Sequence, residues 1–576
     1  MNDFRKLLSY LGPYRKDIIA ACLLIIIETS FELIIPTMMA DLIDKGVSEG
    51  NTAYMLSKGL QMALCALLAL ATGLTYARFA ARAAYGWGAR IRESEYEKLQ
   101  RYAFSNIDKF ETSSLVTRMT SDITVMQNTI NNGLRPLVRA PVMLVLGVIF
   151  SFSMNAELAV VFIIMVPILG IVLFSIVRHV APMYSVLQST VDKLNGTVEE
   201  DVRAIRTVKA FVREEKEEDK FGDVNGKLRN IATRTNRTAV LNMPFFQLMM
   251  YICVLCLMYF GGTMILSGAL QVGELTGFLS YVMQVLNSMM MLSNVFLLLT
   301  RSLASAKRIG MILDEEPSMK EKEDAVNEIK SSSVEFRNVS FRYSMEAKEE
   351  TLENINLKIE AGSTVGILGG TGSGKTTLVQ LIDLLYDADK GEVLVGGIDV
   401  RDYSLHALRE AVGMVLQKNL LFSGTIRENL QWGKPDASEE ELWKACDSAG
   451  AGEFIRRFPS GFDTDLGQGG VNVSGGQKQR LCIARALLKS PKILIFDDST
   501  SAVDSATEKN IRENLKQLED VTKIFIAQRI STVMEADCIF ILDNGHLVAS
   551  GRHEELLDTS PIYREIYDSQ MKGGTL

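Results

Sequence analysis

Long stretches without a charged side chain dominate the first half of this sequence and limit what the chain can fold into. The stretches free of Asp, Glu, Lys and Arg are 59–77, 140–156, 158–177, 239–273 and 275–300. A sixth apolar stretch, 18–40, contains only two charged residues, Glu28 and Glu32. About 20 helical residues cross the hydrocarbon core of a bilayer. The six stretches therefore predict six transmembrane helices.

Composition excludes several other classes of protein. A chain of 576 residues is too long for one ordinary domain. Its net charge of −8 does not provide the basic face that nucleic acid requires, so no nucleic-acid partner is expected. The seven cysteines are scattered and odd in number, which favours a reducing compartment over a disulfide framework.

The distribution of basic residues predicts the orientation in the membrane. Two long inserts, 78–139 and 178–238, are rich in Lys and Arg, whereas the short opposite connections carry only Lys45 and Lys58. Positive loops remain in the cytoplasm. We therefore expect a multi-pass protein of the cell membrane, surrounded by lipid, with both termini and both inserts cytoplasmic. Each insert is predicted to form a helix extension, a short turn and a second helix extension, which reach well beyond the bilayer.

The second half of the chain has a different pattern. From Val334 onward, short β-rich runs alternate with amphipathic helices, which is typical of an α/β domain with a largely parallel sheet. The predicted organisation is a helical membrane domain (1–315), a polar linker (316–333) and an α/β domain (334–576). The membrane domain is predicted to have six transmembrane helices with long cytoplasmic extensions.

A phosphate-binding motif identifies the chemistry of the α/β domain. Residues 369–376 read G-G-T-G-S-G-K-T, which matches the P-loop pattern between a predicted strand and a helix. The glycines let backbone N–H groups surround phosphate oxygens, Lys375 contributes a positive charge, and the Thr376 hydroxyl can bind Mg²⁺. The residues expected to bind nucleotide here are Gly369, Gly370, Thr371, Gly372, Ser373, Gly374, Lys375, Thr376 and Thr377.

A second motif completes the predicted ATP site. The run KILIFDD places Asp497 and Asp498 directly after four apolar strand residues. We expect Asp497 to hold Mg²⁺ from the end of a strand beside the P-loop. These motifs predict that the α/β domain is a P-loop NTPase and that its cofactors are ATP and Mg²⁺.

The run NVSGGQKQRLCIARALL makes the chain resemble one half of an ABC transporter of the exporter type, over essentially its whole length. The family's L-S-G-G-Q signature is matched here by residues 473–477, with nucleotide-binding positions Ser474, Gly475, Gly476 and Gln477. The resemblance implies that Tyr343 stacks on adenine, that Gln417 contributes to catalysis and metal binding, and that Asp504 lies in the D-loop. Segments 114–122 and 205–214 resemble the surroundings of the two coupling helices.

The resemblance also implies a partner. In this family two nucleotide domains pair head to tail, with ATP between the P-loop of one and the signature of the other. A second half-transporter is therefore expected, and ATP would act as a removable link between two surfaces.

Two departures from the family pattern suggest what kind of partner this is. Asp498 stands where most members have Glu, and Gln528 stands where most have the switch histidine. Asp498, Gln528 and Gln417 are the candidate catalytic residues. A carboxylate placed about 1 Å too far from its water costs on the order of 100-fold in rate. We therefore predict the weakly hydrolysing half of a heterodimer, as in heterodimeric multidrug exporters; a homodimer that tolerates both changes is the alternative.

The cargo is the least constrained prediction. Glu28 and Glu32 lie one helical turn apart, and they could attract cationic drugs or be hydrogen-bonded between helices. The methionines at 249–250 and 289–291 could form an adaptable apolar wall or could simply pack. We expect outward transport of amphipathic compounds. The alternatives are a non-hydrolysing regulatory subunit, or a transporter of lipid, peptide or metal chelate with the same fold.

Overall fold

The computed structural model describes residues 2–344, 349–498 and 505–572, and the chain divides into two compact units. The first unit comprises Met1–Gln100 and Glu111–Glu315. The second comprises Arg101–Phe110 and Glu316–Leu576. Ten residues that the sequence placed in the membrane domain, 101–110, thus belong to the second unit, and so does the predicted linker.

The first half of the chain is helical, and only α4 of its helices lies in the second unit. Its helices are α1 Asn2–Ser9, α2 Arg15–Asp41, α3 Thr52–Gln100, α4 Phe104–Ile107, α5 Thr112–Thr117, α6 Ile123–Met154, α7 Ala156–Ala210, α8 Glu214–Val240, α9 Asn242–Leu266 and α10 Val272–Asp314. Short π-helical segments, Leu42–Val47 and Arg118–Asp122, follow α2 and α5.

Each of the six apolar stretches lies mainly in one long helix of this set: α2, α3, α6, α7, α9 or α10. The stretch 140–156 ends just beyond α6, and 239–273 extends past both ends of α9. Among the described residues, four helical stretches are long and apolar enough to cross a membrane: Gly12–Val47, Thr52–Gln100, Thr112–Met154 and Glu214–Leu266. Their outer faces carry large apolar side chains that lack protein neighbours, such as Leu60, which is 73% exposed. Such a surface is stable in lipid rather than in water.

The second insert has the form predicted from the sequence. Helix α7 extends to Ala210, a turn of three residues follows, and α8 returns from Glu214. The first insert differs, because α4, α5 and the second π-helical segment lie between the long helices α3 and α6.

The second unit contains two sheets. Its strands are β1 Val334–Phe341, β2 Leu352–Ile359, β3 Thr364–Gly369, β4 Lys390–Val395, β5 Ile398–Asp399, β6 Val412–Val415, β7 Ile493–Asp497, β8 Thr522–Ala527, β9 Cys538–Asp543 and β10 His546–Gly551. One sheet is antiparallel with the order β2-β1-β4-β5, and the other has the order β10-β9-β3-β8-β7-β6. In the larger sheet only the edge strand β10 is antiparallel to its neighbour.

Helices pack against the larger sheet or against one another in the second unit. They are α11 Lys375–Ile382, α12 Leu405–Ala411, α13 Ile426–Gln431, α14 Glu439–Ser448, α15 Gly452–Arg457, α16 Gly475–Leu488, α17 Ser505–Lys516, α18 Ile530–Val533, α19 His553–Thr559 and α20 Pro561–Lys572.

The larger sheet separates two apolar cores, and this explains where Asp497 points. Along β7, Leu494 and Phe496 join the core that contains α16, whereas Ile493 and Ile495 join the core that contains α11. Successive strand residues face opposite sides of a sheet. Asp497 therefore continues on the α11 side, the side on which the P-loop helix packs.

The strand order adds a detail that the sequence did not predict. The strand that carries Asp497, β7, is not beside the P-loop strand β3, because β8 lies between them. The sequence could not reveal this, since β8 follows β7 along the chain and strand order depends on pairing between distant segments.

Candidate functional site

The P-loop connects β3 to α11 through a backbone conformation that requires glycine. Gly372 and Gly374 have φ values of +84° and +92°, in the left-handed region that L side chains rarely adopt. A side chain at Gly374 would also collide, because its Cβ would lie 2.6 Å from Cδ2 of Leu352. These glycines let the loop turn sharply before Lys375 begins α11.

The ammonium group of Lys375 lies across the loop. It donates hydrogen bonds to the carbonyl oxygens of Gly369 at 2.9 Å and Gly370 at 2.6 Å. Burial lowers the pKa of Lys375, while the neighbouring carboxylates of Asp498 and Asp497 raise it. The rim of the loop, residues 370–372, is exposed, so its backbone donors face a space that an anion can enter.

Thr376 and Asp497 form the predicted metal position. The Thr376 hydroxyl donates a hydrogen bond of 2.9 Å to Oδ1 of Asp497, which is only 2% exposed. Burial raises the pKa of Asp497, and the hydrogen bond from Thr376 lowers it. A hydroxyl and a carboxylate within contact of each other are oxygen ligands of the type that Mg²⁺ prefers, so these residues fit the ion.

The carboxyl ends of four parallel strands bring the predicted catalytic residues together. The P-loop follows β3, Gln528 follows β8, Asp498 follows β7, and Gln417 lies two residues beyond β6. Because parallel strands end at the same edge of a sheet, these residues share one edge in the order β3-β8-β7-β6.

At this edge two amide side chains hold the carboxylate of Asp498. Nε2 of Gln528 donates to Oδ2 of Asp498 at 3.0 Å, and Gln417 also hydrogen-bonds the carboxylate. Burial raises the pKa of Asp498, whereas Lys375, Arg529 and the two amides lower it. Asp498 has a φ of +45°, a conformation that Asp tolerates better than most residues. The three predicted catalytic side chains therefore form one cluster.

The predicted adenine platform, Tyr343, is anchored at its hydroxyl. That hydroxyl shares a hydrogen bond of 2.9 Å with Thr377 and contacts Oε1 of Gln380 at 3.2 Å. Its ring packs edge-on against Phe341 and Tyr386, with centroids 5.0 Å and 5.1 Å away. The side chain is half exposed, so the ring is fixed on one side and open on the other.

The signature residues form the start of α16. Ser474 caps this helix: its hydroxyl accepts a hydrogen bond from the backbone N–H of Gln477, whose side chain accepts one from the N–H of Ser474. Ser474 and Gly475 are exposed. The first turn of a helix has unpaired N–H donors that favour an anion. Asp504, the predicted D-loop residue, lies outside the described residues.

The structure adds two contacts that sequence patterns did not reveal. Gln570 in the terminal helix α20 accepts a hydrogen bond from the N–H of Ile530 and donates one to the carbonyl of Gln528, both at 2.8 Å. Asp108, just after α4, accepts a hydrogen bond of 2.5 Å from the Tyr386 hydroxyl. Both contacts join residues far apart in the chain, and no local motif marks them.

Comparisons with known proteins agree with this architecture. Two family models match the chain, "ABC transporter transmembrane region" over residues 18–289 and "ABC transporter" over residues 352–501. An uncharacterized ABC transporter ATP-binding protein of Bacillus subtilis is 36% identical over 566 residues, which are 98% of each chain. A putative multidrug export ATP-binding/permease protein of Bacillus subtilis is 32% identical over 99% of this chain and 100% of its own.

A solved structure agrees as well. A bacterial Atm1-family ABC exporter with ATP bound matches with a TM-score of 0.82 and 25% identity, over 96% of this chain and 98% of that one. The matches confirm the predicted fold class, a helical multi-pass membrane region followed by an ATPase domain.

Proposed function

Since this chain belongs to the ABC transporter family and carries one transmembrane region and one ATPase domain, we propose that it pairs with a second half-transporter to form an ATP-driven exporter. The observation that carries the proposal is that the chain has two separate exposed segments with the backbone donors that an anion requires. The P-loop rim and the start of α16 are both exposed, and each presents backbone N–H donors. A second nucleotide domain can cover both.

The P-loop binds the phosphates of ATP in this proposal. The Lys375 ammonium exchanges its bonds to two loop carbonyls for phosphate oxygens, and the loop N–H groups complete the contact. Thr376 and Asp497 hold Mg²⁺, which neutralises charge on the phosphates. Gln417 lies close enough to Asp498 to serve the same site. The adenine ring stacks on the open side of Tyr343.

Hydrolysis at this P-loop is slow because Asp498 is a poor base for water. Its carboxylate is one methylene shorter than the usual Glu, and two amides already hydrogen-bond it. Gln528 hydrogen-bonds a phosphate but does not carry a proton as imidazole does. ATP bound here therefore persists and holds the two nucleotide domains together.

Turnover occurs at the other site of the pair. Ser474, Gly475 and Gly476 present their donors to the γ-phosphate bound by the partner's P-loop. The partner supplies Glu and His, so its ATP is hydrolysed. Opening and closing of this contact drives the membrane helices, and amphipathic compounds move outward.

A regulatory subunit that never hydrolyses ATP is the second candidate. The two amides around Asp498 favour it, because a carboxylate that is already hydrogen-bonded twice has less tendency to bind water. Replacing Asp498 by Asn separates the candidates. A graded loss of phosphate release supports residual catalysis at this site, and an unchanged rate supports the regulatory role.

Purification alone and with a partner tests the pairing. The full-length chain is reconstituted in nanodiscs, alone or with a half-transporter that has Glu and His at the positions of Asp498 and Gln528. We expect phosphate release by the mixed assembly to exceed that of the chain alone by roughly 100-fold, and Lys375→Ala to abolish what the chain alone retains. A stable homodimer with ordinary turnover would refute the pairing.

A further inference from the structure

A basic cavity lies within the first unit, among α3, α6 and α10. Its volume is about 970 Å³, which suffices for a drug-sized or lipid-like molecule. The polar side chains that line it are Tyr76, Asn131, Asn132, Arg135, Arg139 and Arg301. All three charged side chains in the lining are arginines, and within the described residues no carboxylate lines it.

Two of these arginines are held by the carboxylates that the sequence singled out. Arg135 pairs with Glu28, and Arg139 pairs with Glu32 at 2.5 Å. The Glu28 side chain is 5% exposed, against 43% for Arg135. Glu28 on α2 thus lies behind its guanidinium partner, whereas Glu32 is 28% exposed against 20% for Arg139; both carboxylates orient the arginines with which they pair. This arrangement favours hydrogen bonding between helices over attraction of cationic drugs, the two alternatives that the sequence left open.

Arg301 adds a charge that is not neutralised. It is exposed and forms no hydrogen bond or ion pair within the described part of the chain. Three guanidinium groups against two carboxylates leave one net positive charge at the cavity. Each paired guanidinium uses one nitrogen for its carboxylate and retains further donors.

The cavity also has an apolar side. Met291, Val295 and Leu298 on α10 line it together with Ala77 and Ala80. Met291 is 50% exposed, and a flexible thioether side chain adapts to varied ligands. The methionines at 249–250 and 289–290 instead pack against the apolar core of this unit, so most of the predicted methionine wall is ordinary packing.

The position of the cavity suits loading from the cytoplasm. Arg135 and Arg139 come directly before the apolar stretch 140–156, and Arg301 comes directly after 275–300. The inserts and the ATPase domain that adjoin these ends are the cytoplasmic parts. The basic groups therefore lie near the inner boundary of the membrane, where an anionic group can remain close to water.

We infer that the cargo of this exporter is an amphipathic anion, an apolar body that carries a carboxylate, sulfonate or phosphate group; this inference rests on the proposed export function. The anionic group binds Arg301 and the free donors of Arg135 and Arg139, because guanidinium groups pair with such anions through two parallel hydrogen bonds. The apolar body lies against α10. A small metabolite and an anionic lipid share this chemistry.

Equilibrium binding to the full-length chain tests the inference without a partner, since the three arginines and the apolar side chains on which it rests all belong to this chain. The chain is reconstituted in phosphatidylcholine nanodiscs with radiolabelled taurocholate, a sulfonate-bearing amphipath, or tetraphenylphosphonium, a lipophilic cation. We expect taurocholate to bind and the cation not to compete with it. Arg301→Gln should weaken taurocholate binding roughly tenfold, the loss expected for hydrogen bonds to a charged group.

Matched variants separate charge from folding. Arg301→Lys keeps the charge and should retain affinity within about threefold. Arg229→Gln removes an exposed arginine from α8 and should change nothing. Glu32→Gln removes the carboxylate that pairs with Arg139 and should strengthen taurocholate binding. Nanodiscs that contain phosphatidylglycerol distinguish the two possible cargoes. If this lipid displaces taurocholate, the cargo is an anionic lipid; if taurocholate remains bound, the cargo is a soluble anion.

Two results would overturn the inference while leaving the exporter proposal intact. One is preferential binding of tetraphenylphosphonium, and the other is unchanged taurocholate affinity in Arg301→Gln protein that unfolds at the wild-type temperature. Phosphate release that does not depend on Lys375 would instead reject the export function, and the cargo inference with it.

Discussion

At the scale of single residues, Asp498 is the side chain that we propose to limit hydrolysis at this chain's own nucleotide site. Its carboxylate is short, and amides from two neighbouring strand ends hydrogen-bond it. The departures from the family pattern are small: Asp in place of Glu shortens the side chain by one methylene, and Gln in place of His removes an imidazole. They bear on catalysis because the position of a base must be correct within about 1 Å.

Lengthening this carboxylate should increase turnover. We expect the double variant Asp498→Glu with Gln528→His to release phosphate roughly ten- to 100-fold faster than the wild-type chain in its homodimeric form, because a base is brought closer to the attacking water. Steady-state phosphate release in nanodiscs measures the effect. Asp520→Glu, in the exposed turn before β8, is the matched control. An unchanged rate in the double variant would show that another feature limits hydrolysis.

Asp383 predicts a pH dependence of stability. It ends α11, it is buried, and its Oδ1 has no hydrogen-bond partner among the described residues. Burial raises its pKa from the ordinary 3.8 to about 7, although Arg409 and Lys489 lower it. Because the folded state holds this proton more tightly than the unfolded state, stability is lost as pH rises from about 4 to about 7.

Replacing Asp383 by Asn removes the ionisable group and with it the loss of stability at higher pH. The variant should be more stable than wild type above pH 7, by on the order of a few kcal/mol, and equally stable near pH 4. Thermal unfolding of the solubilised full chain at pH 5 and pH 8 measures this difference. Asp436→Asn, at an exposed position, should show no such dependence. Equal destabilisation by Asp383→Asn at both pH values would contradict the assignment.

At the scale of elements, α4 is built into the second unit. Asn106 is fully buried, donates to the carbonyl of Glu316 at 2.9 Å and accepts from the N–H of Ser318 at 2.8 Å. Asp108 bonds Tyr386, which packs edge-on against Tyr343. Two contacts, Asp108 with Tyr386 and Tyr386 with Tyr343, therefore link the predicted adenine platform to the segment that follows the membrane helix α3 in the chain.

Tyr386→Phe tests this chain of contacts. It removes the hydroxyl that bonds Asp108 and keeps the ring that supports Tyr343, so ATP affinity should change less than about threefold. The stimulation of phosphate release by cargo should fall by roughly tenfold, the worth of a hydrogen bond to a carboxylate. Measuring nucleotide binding and stimulated turnover separately distinguishes the two effects. Equal loss in both would mean that Tyr386 only supports the platform.

Helix α20 reaches the same edge of the sheet from the other end of the chain. Gln570 bonds the backbone on both sides of Arg529 and so fixes the loop that carries Gln528. It acts as a positioning residue, because its bonds go to this loop.

Gln570→Ala should therefore lower the maximal rate of phosphate release several-fold and leave the KM for ATP unchanged, since the P-loop is untouched. Gln517→Ala, an exposed glutamine after α17, provides the control. A raised KM with an unchanged rate would show that α20 supports nucleotide binding rather than the Gln528 loop.

At the scale of the whole molecule, the proposed pairing makes this chain asymmetric. Lys375 serves its own weak site, whereas Ser474 serves the stronger site of its partner. In the mixed assembly, Ser474→Ala should reduce phosphate release at least tenfold more than Lys375→Ala does, because only the former removes a donor from the hydrolysing site. Single-variant assemblies in nanodiscs measure both rates. Equal loss in the two variants is the result expected of a homodimer, and it would count against the pairing.

The sequence alone determined the parts of this protein that depend on local patterns. An apolar stretch as long as 275–300 predicts a transmembrane helix, because in lipid the backbone N–H and C=O groups must hydrogen-bond to each other within the helix. The spacing from Gly369 to Thr376 identifies a phosphate loop, since only glycines turn its N–H groups inward. The clustering of Asp498, Gln528 and Gln417 follows once each residue is placed at the end of a parallel strand.

Only the tertiary structure decided which distant residues meet. Three such contacts join remote segments of the chain. Strand β8 lies between β3 and β7, Gln570 hydrogen-bonds the loop that carries Gln528, and Glu28 and Glu32 pair with arginines on α6. Such contacts depend on how whole elements pack, and the same local sequence is compatible with many packings. That is why the carboxylates on α2, read alone, were compatible both with attraction of cationic drugs and with hydrogen bonding between helices, and why their arginine partners favour the second.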